Sequence, residues 1–245
     1  MSDIQTHLKI DINCDLGEGE PAARTRALMR RITSANVACG RHVGGHAGDL
    51  ASMTRAVRLA AEFGVHLGAH PGPAGDFGRG PVTVTPKALA TQIVQQVTAL
   101  ATVATMAGAP LHHIKLHGAW YHATEADPDI ARAYLAAVQQ YFPHCAIYAL
   151  SGGRVVQLAR EQGMAVLEEI FADRAYRTDG TLVPRSEPGA MLTRPTEVVA
   201  RLRHWLATGE MVCVDGGWVK LRGDTVCIHG DGAQALALLR GLQGL

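Results

Sequence analysis

Residues 65–116 decide the fold. VHLGA (65–69) reads as a buried strand, TPKALATQIVQQVTALATVATM (85–106) as a long helix, and HHIKL (112–116) as a second strand. Thr85 is an N-cap type and Pro86 fits the first turn, so the helix begins there and stops at Gly108. A strand, a helix and a strand of this length form one parallel βαβ unit.

The same alternation extends both ways. Upstream lie strands at Leu8–Cys14 and Ile32–Cys39 and an amphipathic helix from Asp49 to Phe63, which Gly64 ends. Downstream the spacing predicts a helix over 127–141, a strand over 146–150, a helix over 153–162 and a strand over 165–171. A helix over 195–207, strand-like runs at 211–214, 218–221 and 225–228, and a helix over 232–240 closed by Gly241 follow. Six or seven such units without a break in composition predict a single parallel α/β domain over 1–245, either a closed barrel or an open sheet.

Composition narrows the function. The 245 residues are 47% hydrophobic and 18% charged, with a net charge of +1, which suits a packed α/β protein. Scattered basic residues argue against nucleic acid, and no apolar run reaches the ~18–20 residues of a membrane span. The acidic start MSDIQTHLKIDINCDLGE is not built like a signal peptide, and five unpaired cysteines suit a reducing compartment, so a cytoplasmic location is expected.

In parallel α/β folds the reactive groups collect beyond the carboxyl ends of the strands. Six strand ends here carry them: Asp15 and Glu18; His42, His46 and Asp49; His70, Asp76 and Arg79; Lys115, His117, Tyr121 and His122; Asp173, Arg174, Tyr176, Asp179 and Arg185; His229 and Asp231. Two chemistries fit. Asp15, His46 and His70 could hold a divalent metal that activates water. Alternatively Asp15 or Asp173 acts as general base while Lys115 and His117, two apart on a strand and so on one face, stabilise negative charge at an attacked carbonyl. Arginines of the 173–188 connection suit a substrate carboxylate.

Taken together, DINCDLGE (11–18), SANVACG (34–40), HAGD (46–49), GAHPG (68–72), FGR (77–79), HIKLHGAWY (113–121), FADRAYRTDGTLVPRS (171–186) and CIHGD (227–231) make the chain resemble the LamB/YcsF family, the A component of prokaryotic 5-oxoprolinase. The resemblance implies a distorted (β/α)7 barrel of the glycoside hydrolase/deacetylase type. It also implies ATP-dependent opening of 5-oxo-L-proline to L-glutamate, with ATP and Mg²⁺ handled in a complex with two further subunits. Asp15, Lys115, His117 and Asp173 are the expected catalytic residues, and Asn36, Arg79, Tyr121, Arg174, Arg185 and His229 the expected substrate contacts. A homo-oligomer is compatible with this organisation. No GxxxxGK[ST] segment occurs.

Three segments depart from the family pattern: CGRHVGGHAGD (39–49) carries an apparent RHVG insertion, GAHPGPAGDFGRG (68–80) is shortened, and KLHGAWYH (115–122) replaces a proline and an asparagine. All lie on the predicted rim and bear on substrate choice. The alternatives are a stand-alone metal-dependent deacetylase or amidohydrolase, and a non-catalytic scaffold subunit.

Overall fold

A computed structural model describes residues 10–40, 48–75, 78–80 and 82–242. The strands are β1 (Asp11–Leu16), β2 (Ser34–Ala38), β3 (His66–His70), β4 (Leu111–Ile114), β5 (Ala146–Leu150), β6 (Val166–Phe171), β7 (Glu210–Val212), β8 (Trp218–Lys220) and β9 (Thr225–Ile228). The helices are α1 (Ala22–Met29), α2 (Leu50–Phe63), α3 (Pro86–Met106), α4 (Gly118–Ala126), α5 (Pro128–Tyr141), α6 (Arg154–Glu161), α7 (Pro195–Thr208) and α8 (Ala235–Leu242). Strands β1 to β6 and β9 pair in parallel, in that order, and β9 returns to β1. The result is a closed seven-stranded TIM-like barrel, and the open-sheet alternative is excluded.

Local chemistry sets the helix starts. Asp49 accepts a hydrogen bond from Ser52 N at 2.8 Å, Thr85 from Ala88 N at 3.2 Å, and Asp127 from Asp129 N at 2.8 Å. Two helices escape the sequence pattern. In α1 only Thr25, Leu28 and Met29 are buried, so no apolar stripe announces it. Helix α4 opens at Gly118, a residue that reads as a turn. Two strand-like runs, β7 and β8, form an antiparallel ribbon outside the barrel. Gly241 lies inside α8 rather than ending it, because the buried Leu238, Leu239 and Leu242 hold that turn against the core.

The apolar core is the layer between barrel wall and helices, with Val37, Val57, Leu89, Ile93, Leu100, Ile114, Ile147 and Leu239 all fully buried. The barrel interior is different. Asn13, Asp15, Ser34, Asn36, His70, His113, Lys115, Glu169 and Thr225 are buried, and hydrogen bonds and ion pairs link them across the strands. TIM barrels normally fill this space with branched aliphatic side chains. All five cysteines are free and buried. Among the described residues no helix is long and apolar enough to cross a membrane.

Candidate active site

Lys115, just past the end of β4, sits at the centre. Its Nζ lies 2.7 Å from Glu169 Oε1, 3.0 Å from Asp15 Oδ1, 3.0 Å from Cys227 Sγ and 3.2 Å from Asn13 Oδ1. Burial works against its charge, but Asp15 and Glu169 more than offset this and hold the ammonium well above its usual range. Burial likewise raises Asp15, and there the Lys115 ammonium offsets it, holding the carboxyl well below the usual range. Asn36 Nδ2 donates to the same Asp15 oxygen at 2.8 Å. Glu169 Oε2 accepts from the Tyr121 hydroxyl at 3.1 Å.

One wall carries imidazoles. His70 Nδ1 lies 2.9 Å from the Lys115 carbonyl oxygen, so Nδ1 bears the hydrogen and donates it. Burial lowers the His70 pKa to about 3, and the ring is neutral. Its Nε2 therefore offers a lone pair, 2.8 Å from His117 Nδ1, 3.5 Å from Asp15 Oδ2 and 3.6 Å from Glu18 Oε1. His117 Nδ1 is also 2.9 Å from Glu18 Oε1. Asp15, Glu18, His70 and His117 thus offer one atom each within 4.8 Å of one another, a donor set fit for a divalent ion. Gly78, with φ of 65°, lets the chain turn over the His117 ring, since a Cβ there would lie 2.6 Å from it.

The opposite wall is a dyad. His229, at the end of β9, points Nδ1 at both oxygens of Asp173, at 2.8 and 3.0 Å. Burial opposes the charge of Asp173, and His229 lowers its pKa overall. This bond fixes the His229 tautomer and leaves Nε2 available. A cavity of about 730 Å³ opens above these groups, lined by Asp15, His70, Lys115, Tyr121, Phe171 and His229 below and by Arg79, Arg174 and Arg185 at the rim. Arg174 is only 2% exposed. It donates to the Val183 carbonyl at 2.6 Å, and its Nε has no hydrogen-bond partner among the described residues. Burial, then neighbouring Arg185, lowers its pKa to about 10. Arg79 is paired with Asp231 at 2.8 Å.

The strand-end residues expected from sequence therefore converge, with differences in placement. β4 stops at Ile114, yet Lys115 N and His117 N still donate to Ala69 O and Pro71 O, at 2.9 and 2.8 Å. Both side chains accordingly reach the interior. Asn36 does not line the cavity but lies within the barrel, bonded to Asp15. Asp173 is committed to His229, which is the member of the pair that lines the cavity. His46, with His42 and Asp76, lies outside the described residues. Glu169, Asn13 and Cys227, which surround Lys115, and His113, which contacts Asn36, escape the sequence reading. A usable signal is the pair Glu168-Glu169 inside an apolar strand, one of which has to face the barrel axis.

Comparison with known proteins agrees with the barrel fold. The family model that matches the chain is described as the LamB/YcsF family and spans residues 10–244. A lactam utilization protein from Thermus thermophilus is 36% identical, with a TM-score of 0.87, covering 96% of this chain and 95% of that one. A GH113 beta-1,4-mannanase shares the barrel alone, at 12% identity and a TM-score of 0.53, over 97% of this chain and 98% of that one.

Proposed function

Because this chain belongs to the LamB/YcsF family, we propose that it is the A component of an ATP-dependent 5-oxoprolinase, opening 5-oxo-L-proline to L-glutamate with two partner subunits. Its similarity to a lactam utilization protein supports a lactam as substrate. The observation that carries the reading is one cavity joining a carboxylate-held imidazole, a buried ammonium and a buried guanidinium whose Nε has no partner among the described residues.

In this reading His229 is the general base. Its Nδ1–H stays on Asp173, and Nε2 takes a proton from water. The water oxygen bonds to the lactam carbonyl carbon, and the ammonium of Lys115 stabilises the oxyanion. The ring C–N bond then breaks and the nitrogen takes the proton held on His229 Nε2, giving the γ-carboxylate and amine of glutamate. Arg174 and Arg185 pair with the substrate carboxylate. A five-membered lactam is an unstrained amide, so the complex would first phosphorylate its carbonyl oxygen from ATP, releasing ADP, with phosphate leaving once water has added. ATP and Mg²⁺ are handled within the complex.

A second reading has a divalent ion at Asp15, Glu18, His70 and His117. The bond from His70 Nδ1 to the Lys115 carbonyl favours it, since that bond presents Nε2 in the ligating state. Such an ion would polarise the carbonyl and lower the pKa of water. It would also suit a stand-alone amidohydrolase.

The test is glutamate release from 5-oxoproline with ATP and Mg²⁺, by this protein alone and with its candidate partner subunits. Glutamate formed only in the full mixture, and lost when this chain is omitted, is the expected result. Release without partners or ATP, abolished by chelation and accompanied by stoichiometric metal, would establish the second reading instead.

A further inference from the structure

We propose that His113 is a positioning residue for Asp15, acting by locking the amide of Asn36. This rests on the reading above, in which the Lys115 ammonium that Asp15 holds stabilises the oxyanion.

The hydrogen bonds assign every atom in the chain of contacts. Asn13 Nδ2 donates to Thr225 Oγ1 at 2.7 Å, and Asn13 Oδ1 accepts from Lys115 Nζ. The Asn36 atom that lies 2.7 Å from Asn13 Oδ1 and 2.8 Å from Asp15 Oδ1 faces two acceptors, so it is the amide nitrogen. Asn36 Oδ1 therefore faces His113 Nε2 at 2.7 Å, and Nε2 bears the hydrogen. The neutral ring leaves Nδ1 bare, and Nδ1 accepts from His112 Nδ1 at 3.2 Å. Burial, then His112 and Lys115, holds His113 well below its usual pKa, consistent with one ring hydrogen.

The slot for this ring is built. His113 stacks on Tyr148 with centroids 3.8 Å apart and planes within 9°. On β3, Gly68 leaves the space the ring needs, since a Cβ there would come within 2.0 Å of Nε2. Both His113 and Asn36 are fully buried. Without the imidazole N–H, Asn36 Oδ1 would be a buried acceptor with no donor. The two acceptors at Nδ2 bar a flip, so the amide would tilt to find another donor for its oxygen and draw Nδ2 away from Asp15 Oδ1. His113 thus holds Asn36 Nδ2 on Asp15, and so sets where the carboxylate rests.

The experiment compares H113F and H113Q in the reconstituted complex, with D15N beside them. Phenylalanine keeps the stack on Tyr148 but lacks the donor, whereas the glutamine Nε2 can occupy the position of the imidazole Nε2. Expected are a fall in kcat of about tenfold or more for H113F with KM within about twofold, and recovery to within about threefold of wild type for H113Q. H113F retaining full kcat while D15N is inactive would overturn the proposal. An active D15N would instead count against the reading of the site. A second measurement needs no variant: ¹⁵N NMR of the wild-type protein should show His113 with the hydrogen on Nε2 and a bare Nδ1. The opposite tautomer would overturn the lock whatever the activities.

Discussion

Lys115 has more acceptors than hydrogens. Three N–H groups face Asn13, Asp15, Glu169 and Cys227, so the thiol, which burial pushes well up, remains protonated. Replacing Lys115 by methionine removes the cation from two buried carboxylates. Turnover should fall by about 10²-fold or more, with a lower melting temperature because the carboxylates lose their partner. D15N separates the two effects. Its amide oxygen can still accept from Asn36 and Lys115, so the melting temperature should hold nearly steady while turnover collapses. Steady-state kinetics with calorimetry on both variants checks this, and a D15N enzyme of normal turnover would remove Asp15 from the mechanism. Asp15, Lys115, His70, Arg174 and His229 are legible because each follows an apolar run. Glu169 and His113 sit within such runs, where sequence gives no sign of which face is the barrel axis.

Among the elements, caps within the same helix are readable and caps borrowed from elsewhere are not. Asp49, Thr85 and Asp127 stand directly before their apolar stripes. Helix α6 begins instead at Gly153, which makes no side-chain cap. Its N-terminus is held by Glu125 of α4, whose carboxylate accepts from Arg154 N at 2.6 Å, while Arg154 Nε donates to the Glu125 carbonyl at 2.9 Å. E125A should cost about 1 kcal/mol, read as a melting shift of a few degrees, with kcat unchanged. An unchanged melting temperature would show that Gly153 and solvent suffice.

The barrel as a unit buries neutral imidazoles among polar groups. His70, lowered to about 3, and His113, held well below its usual value, both stay uncharged in the fold mainly through desolvation. In the unfolded chain each protonates near pH 6.5. Below about that pH the unfolded state takes up protons that the folded state refuses, so stability declines as pH falls. The slope is about 1.4 kcal/mol per pH unit for each group, and the His70 share ends near pH 3, where the folded ring protonates. Denaturant midpoints at pH 7.5, 6 and 5 should decrease in that order. A flat profile would mean that these rings are already charged in the fold.

Local sequence suffices for the βα alternation, for most strand and helix positions, and for the face on which the titratable groups gather. Those features follow from hydrophobic period and from turn residues, which act over a few positions. Barrel closure belongs to three dimensions, since β9 meets β1 across more than two hundred residues and no local pattern encodes that pairing. So does the division of labour among the polar groups. Which carboxylate holds Lys115, which holds His229, and which histidine fixes Asn36 depend on distances of about 3 Å between strands far apart in the chain.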